Sequence, residues 1–530
     1  QGQSGDDTDE ELMMLEEGDD RPLTQKARDM ACLMGGDEGS LEAQTPDAEA
    51  AGVQDGPGSK TESWWKLVSI SMNLANVILG VGTLSIPFAI KSAGLLMGIA
   101  LIFMVSFLSA VTLFMLHQAA LRARLTAFGY EKLAALYLGN TGRVLVDLTS
   151  VIYNFGAITA YAIVCGQLLS SISSEYFGKG FFLSDNRLAS VTLVCVLILP
   201  LCLLKNIDSL KYTSTVAVLC MVFLIVVIIY KFASNDQSVS TEHNVVLVNS
   251  ISKLFLALPI FSFAFSCHTQ FPHVVEGLTI RGTRIVICMA ILMCLGVYLL
   301  VGLSAYFTFF EDAKGDILDN YIDGDTLVNV ARVGIIFVVV VSFPLVHYGA
   351  RHHLESMCFQ KFLPNNGIHV LETLGLVLCS LGLGIVFPKV ENVFGLTGAT
   401  AAVALNFLLP AIMYWKSFSV KRLTEVGVEA SAERAAMVQS GSSRLSLLPS
   451  KLGSPKCCGC DLGCCRCSSS PGCFRCCCRI CRSEGCQSWA MFRSLMKRQW
   501  PSLVVLSVGG LISGLSLPAV ILSLVEGDGS

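Results

Sequence analysis

Asn73-Leu-Ala-Asn76-Val-Ile-Leu-Gly80-Val-Gly82-Thr-Leu-Ser-Ile-Pro87 lies inside the first long apolar run of the chain. Two glycines one residue apart, with a proline soon after, are poor material for an unbroken helix. In lipid such a break is tolerated only where the freed backbone groups face protein, water or a ligand. The stretch therefore predicts a transmembrane helix interrupted at a site. A second interruption is expected in Leu258-Pro259-Ile-Phe-Ser262-Phe-Ala-Phe-Ser266-Cys-His268. There Pro259 removes a backbone donor, and Ser262, Ser266 and His268 put polar groups deep in an apolar segment.

Outward from these two stretches the composition is that of a membrane protein. Hydrophobic side chains make up 53% of the 530 residues and charged ones 15%, against roughly a quarter charged in a soluble domain. Apolar runs long enough to cross a bilayer are read at 67–90, 95–117, 143–172, 188–204, 211–230, 250–271, 283–310, 326–347, 368–387, 391–414 and 501–525. The fold class expected is thus an all-α polytopic membrane protein with eleven transmembrane helices. The stretch 130–138 is too short to span and is placed along the surface. No secretory signal precedes the first run, so that run is expected to target the protein and remain in it.

The interrupted helices are the first and the sixth, which lead two sets of five, 1–5 and 6–10. Paired breaks at matching places in two halves mark the midplane site of a secondary transporter. Half-helix N-termini offer free N–H groups to a carboxylate, here near Val81, Gly82 and Thr83. Exposed carbonyls around Phe261, Ser262 and Phe263 would take a substrate ammonium.

Charge divides the soluble parts. Residues 1–63 hold 17 acidic against 4 basic residues and read as a disordered cytosolic tail, since they cannot bury enough apolar surface to offset ordering entropy. With the N-terminus in the cytosol, inward loops carry 24 Lys and Arg and outward loops 6. That orientation satisfies the positive-inside rule. The organisation expected is a tail at 1–63, a ten-helix core at 64–414, a cytosolic loop at 415–500, an eleventh helix at 501–525 and an extracytosolic end at 526–530.

At the first stretch the chain resembles the amino acid/auxin permease superfamily, and within it the sodium-coupled neutral amino acid transporters. Asn73 to Gly82 is similar to that family's Asn-Leu-x-Asn-Ala-x-x-Gly-x-Gly signature. Cys267-His268, with Val274 to Leu278, resembles its sixth-helix motif. Ala305-Tyr-Phe-Thr-Phe-Phe-Glu311, continuing to Tyr321, is similar to the end of its seventh helix, and Arg332 to Arg351 to its eighth. The resemblance covers about 64–414 plus the last span. It implies a five-plus-five inverted repeat of the bacterial leucine transporter type plus one helix, working by alternating access. It also implies sodium between the first and eighth helices, at Asn76 and Ser342. The family usually has Thr at the position of Ser342 and a second Thr where Val340 stands; Ser342 keeps the oxygen a hard cation wants.

Other residues carry open alternatives. His268 is either a proton relay or a hydrogen-bonded structural histidine. Tyr161 and Asn154 in the third span face the neighbourhood of the first and sixth; Tyr161 is either a gate or core. Arg332 and Lys253 are expected to snorkel from outer ends, and Asp147 to lie at the inner interface. Residues 457–486 hold 12 of the 22 cysteines, among them Cys457, Cys458, Cys460, Cys464, Cys465, Cys467, Cys476, Cys477 and Cys478. Beside Arg466, Arg475, Arg479 and Arg482 these suit S-acylation at an anionic surface; the alternatives are a metal site or neither role.

No hydrolase elbow, Walker loop, dinucleotide fingerprint or HExxH helix occurs, and no enzyme is expected. The absence of any Asn-x-Ser/Thr sequon tilts slightly toward an internal membrane. The expected function is secondary active symport of small neutral amino acids, with Na+ favoured over H+ as the coupling ion and no other cofactor. The alternatives are a membrane amino-acid sensor signalling through the tail and loop, or a proton-coupled exporter of a vacuole or lysosome. The expected partners are small neutral amino acids and the bilayer, with no nucleic acid; protein partners of the tail and loop stay open. Plasma membrane and acidic internal compartment are both open locations.

Overall fold

A computed structural model describes residues 62–123, 129–204, 213–234, 245–322, 324–359, 366–418 and 499–524, all of which fall in one compact unit. The acidic tail, the Cys-rich segment 457–486, most of 415–500 and residues 525–530 lie outside them, together with the expectations placed there. Every regular element among the described residues is helical. In chain order these are α1 (Trp64–Ile78), α2 (Ile86–Ala93), α3 (Leu95–Arg122), α4 (Tyr130–Phe177), α5 (Asn186–Cys202) and α6 (Thr213–Ser234). There follow α7 (Ile251–Ala264), α8 (Phe271–Val274), α9 (Ile280–Phe309), α10 (Thr326–Leu354), α11 (Asn366–Val386), α12 (Val390–Phe418) and α13 (Gln499–Leu524).

Eight of these helices are long and apolar enough to cross a membrane, and α1 with the segment Val81–Ala93 forms a pair bent by 59°. The two remaining expected spans, 188–204 and 250–271, fall on the shorter apolar helices α5 and α7. The predicted break in the first span is therefore present. Leu79 ends α1, Gly80 is extended (φ −107°, ψ −161°), and a 3-10 turn over Val81–Ser85 leads into α2. The sixth span also breaks, though not at its proline. α7 runs through Pro259 and stops at Ala264, with non-helical chain from Phe265 to Gln270 before α8.

Gly139, at φ 72°, sets the stretch 130–138 apart from the rest of α4. Its Tyr130, Leu133, Ala134 and Tyr137 are buried while Lys132 is exposed, the one-sided pattern of a helix lying against the bundle. Tyr130 donates its hydroxyl to Leu405 O (2.7 Å).

Two features of α12 position the sixth span. Its Gly398 and Ala404 open two π-helical turns, Gly398–Ala402 and Ala404–Leu408; such turns recur where a helix is bent to a function. A Cβ on Gly398 would overlap Pro259 O, so α12 meets α7 backbone to backbone. From the second turn, Asn406 reaches into the gap that α7 leaves.

Arg332 corrects an expectation. Rather than snorkelling, it is 1% exposed and donates to Asn329 Oδ1 (2.9 Å), Leu318 O and Tyr321 O (both 3.1 Å). A buried guanidinium is tolerated where charge-assisted hydrogen bonds such as these replace water. Asp147 is also buried, accepting from Ser356 Oγ (2.9 Å) and lying 2.8 Å from His353 Nδ1, while Lys253 is exposed.

The backbone contact at Gly398 yields a prediction. Gly398→Ala should lower the thermal midpoint of the detergent-solubilised protein, at an overpacking cost of about 1–3 kcal/mol. Gly382→Ala, where a Cβ meets nothing within 4 Å, should leave the midpoint in place.

Candidate substrate-binding site

The two breaks face each other. Tyr298, fully buried on α9, places its hydroxyl 2.8 Å from Ile78 O at the end of α1 and 2.8 Å from Ala264 O at the end of α7. One hydroxyl has one proton to give, so the two carbonyl ends share it, and Ile78 O also accepts from Gly80 N–H (2.9 Å). Both are negative dipole ends, and the phenol takes the place between them that a cation or ammonium would suit.

On the other side of each break the backbone begins again. In the 3-10 turn Thr83 N–H donates to Gly80 O (3.0 Å), which leaves the amides of Val81 and Gly82 ahead of the first turn bond, free of ladder partners. Of the three amides expected to hold a carboxylate, Thr83 is thus already engaged.

The carbonyls of 261–263 are likewise engaged. Phe261 O accepts from Phe265 N–H and Phe263 O from Ser266 N–H, both at 3.1 Å. Ser262 O accepts from Asn406 Nδ2 (2.8 Å), and Asn406 Oδ1 accepts from Ser266 Oγ (2.8 Å). Each carbonyl retains one lone pair. The Ser262 hydroxyl turns back to Leu258 O (2.9 Å).

A cavity of about 650 Å³ touches both breaks. Asn76, Gly80, Val81 and Gly82 line it from the first span, Phe263, Ala264, Ser266 and Cys267 from the sixth, Tyr153 and Tyr161 from α4, and Ser342 from α10. It extends to Glu131, His273, His352 and His353 at one end of the bundle. Tyr153 and Phe263 rings lie 5.0 Å apart, and Phe263 and Phe394 rings 4.6 Å, so an aromatic wall faces the break. A Cβ on Gly80 would stand 3.9 Å from the Tyr161 hydroxyl.

Val81, Gly82, Phe263, Tyr161, Asn76 and Ser342 are therefore brought to one cavity, while Thr83, Phe261, Ser262 and His268 are buried beside it without lining it. His268 stands with Nε2 2.8 Å from Thr112 Oγ1 on α3. Sequence reasoning missed Tyr298, Asn406 and Tyr153. Asn406 is a polar side chain inside an apolar span, a signal in itself. Tyr153, Ala157 and Tyr161 recur every four residues, one helical face.

The family model described as "Transmembrane amino acid transporter protein" matches residues 60–431. The chain belongs to that family. It is accordingly an integral membrane protein of amino acid transport and not an enzyme. The chain is 28% identical over 368 residues to "Amino acid transporter AVT6E" of Arabidopsis thaliana, covering 64% of this chain and 74% of the relative. It is 29% identical over 422 residues to "Sodium-coupled neutral amino acid symporter 2" of Danio rerio, covering 71% and 81%. A solved structure titled "Inward facing conformation of Mhp1" is similar in fold, with a TM-score of 0.51, 14% identity and coverage of 67% and 77%. The expected leucine-transporter type of fold is thereby met.

Gly82 gives the direct test of the site. A Cβ there would make ordinary contacts, 3.5 Å to Ala264 Cα and 3.7 Å to Phe263 Cδ1, so Gly82→Ala should still bind an amino acid. Gly82→Leu would drive a branched side chain into α7 and the cavity, and should abolish binding in a thermal-shift or scintillation-proximity assay while the protein still inserts.

Proposed function

We propose that the protein is a secondary active symporter of small neutral amino acids, working by alternating access across eleven spans with its N-terminus in the cytosol. The observation that carries this reading is the convergence of both helix breaks on one cavity. The carboxylate sits on the amides of Val81 and Gly82, in the positive field at the start of the Val81–Ala93 segment. The ammonium meets the carbonyl end of α7 at Phe263 and Ala264. Tyr161, Tyr153 and Phe263 bound the side chain and keep it small. Glu131 is the one Asp, Glu, Lys or Arg side chain among the described lining residues, so a charged substrate side chain would find little fixed counter-charge near the break.

Sodium is the proposed coupling ion, held by Asn76 and Ser342, which line the cavity from α1 and α10. Two side-chain oxygens and nearby carbonyls of the broken helix suit a hard monovalent cation. The similarity to the zebrafish sodium-coupled symporter supports this choice. A sensor that binds without moving substrate would rely on the tail and the 415–500 loop, which lie outside the described residues for most of their length.

Uptake of labelled alanine by full-length protein in proteoliposomes tests the coupling. Replacing sodium with choline at fixed pH should stop uptake. Ser342→Ala should raise the sodium needed for half-maximal uptake by about tenfold, the cost of one lost ligand contact. Uptake that ignores sodium yet grows with an inward proton gradient would move the role to protons.

A further inference from the structure

The segment joining α9 to α10 turns into the bundle. Ala313, Gly315, Asp316, Ile317, Leu318 and Tyr321 are buried, and four sets of contacts hold them. Ser85, in the turn of the broken first span, donates its hydroxyl to Gly315 O. Lys91 at the end of α2 donates to Ala313 O (3.0 Å). Arg332 on α10 holds Leu318 O and Tyr321 O, and the Tyr321 ring stands edge-on to Phe309 at 4.9 Å. The segment thus ties the first span to α9 and α10. None of its residues lines the cavity; it meets the later part of α4, where Ser171 Oγ donates to Asp319 Oδ1 (3.4 Å), and the start of α10 at Arg332, whereas Glu131 and His352 stand toward the other ends of those two helices.

Inside this cap sits an acid with an unmet atom. Asp316 is 2% exposed, its Oδ1 accepts from Leu318 N–H (3.0 Å), and its Oδ2 is buried with no hydrogen-bond partner. The charged and titratable groups around it are few. Asp319 comes from its own segment, Cys165 from α4, Arg332 from α10 and Glu391 from α12. Arg332 is committed to the oxygens named above and lies 4.0 Å from Glu175. Lys314 pairs with Asp319 at 2.9 Å, and Lys91 faces Glu391, Asp312 and Glu311. The side chain of Glu391 packs on the Gly315 backbone, where a Cβ would overlap it.

We propose that Asp316 is a proton-binding site, and that its proton latches the 313–321 cap over the closed end of the transport path. The proposal rests on the alternating-access reading, since a latch matters only if that end opens. The step is a protonation alone: a proton from the aqueous phase on the capped side binds Asp316 Oδ2, and the carboxyl becomes neutral. No other bond changes. Burial pushes the carboxyl up to about 7, reinforced by Asp319 and Glu391 and opposed by the Leu318 amide and Arg332.

Once the cap lifts, Asp316 meets water and returns to the ordinary carboxylate range, near 4. The seated cap therefore binds one more proton than the lifted cap between those values. Acid favours seating, and raising the pH through about 7 removes the advantage. The ratio of seated to lifted cap should fall about tenfold between pH 6 and pH 8.

Hydrogen–deuterium exchange of peptides covering 311–322 tests this in full-length protein in proteoliposomes, with rates corrected for intrinsic exchange at each pH. The expected result is protection that falls about tenfold from pH 6 to pH 8 in the wild type. Asp316→Asn, which keeps the neutral form at every pH, should be protected and flat across that range. Asp319→Asn should retain the fall. A wild-type profile without pH dependence overturns the proposal, and so does an Asp316→Asn profile that falls like the wild type. Should Asp316→Asn not fold, the wild-type profile and Asp316→Glu, expected to retain the fall, decide the matter in the same way. Exchange requires no substrate, so a failed latch leaves the transport reading standing. A missing flux beside an intact latch would count against transport alone.

Discussion

The Tyr298 hydroxyl stands between two carbonyl oxygens that hydrocarbon could never satisfy, Ile78 O and Ala264 O. A spanning segment keeps its backbone polar groups bonded or does not span. Stopping two helices inside a bilayer frees carbonyls at one side of each gap and amides at the other, so a protein that does this needs a dedicated answer for each group. Here the answers come from neighbouring helices. Tyr298 on α9 serves the carbonyl ends, Asn406 on α12 serves Ser262 O and Ser266, and the Val81 and Gly82 amides are left toward a cavity. What remains unserved by protein is what a ligand can take.

The rest of the arrangement follows from protecting that gap. Gly398 lets α12 approach Pro259 closely, and Asn406, in the second π-helical turn, reaches across to Ser262 O. Arg332 fixes the 313–321 segment through Leu318 O and Tyr321 O. His353 and Ser356 close on the buried carboxylate of Asp147, joining α4 to the end of α10. The cavity between is therefore bounded by firm helices on its long sides.

Much of this was legible in residue order. Gly80, Gly82 and Pro87 are poor material for one regular helix, and the observed bend falls at Gly80. Span positions followed from apolar length, because lipid leaves little freedom in how long a crossing must be. Legibility failed where an answer came from a distant helix. Pro259 suggested the place of the second break, yet α7 tolerates it, because α12 packs on that turn and the helix ends five residues later. Arg332 looked like a snorkelling side chain because its oxygen partners include Leu318 and Tyr321, whose inward turn no local pattern announced. Thr83 and the carbonyls of 261–263 were expected to be free, and they are engaged by partners that sequence spacing does not show. Tyr298 sits in an apolar run where an aromatic is ordinarily core.

Solute counterflow tests the central claim, that this cavity carries an amino acid from one side to the other. Proteoliposomes containing the full-length protein would be loaded with unlabelled alanine and diluted into a trace of labelled alanine, with sodium equal on both sides. A carrier whose site faces each side in turn predicts transient accumulation of label above its equilibrium level, lost in Gly82→Leu. Binding of alanine with no accumulation of label would contradict the account and assign the cavity to sensing.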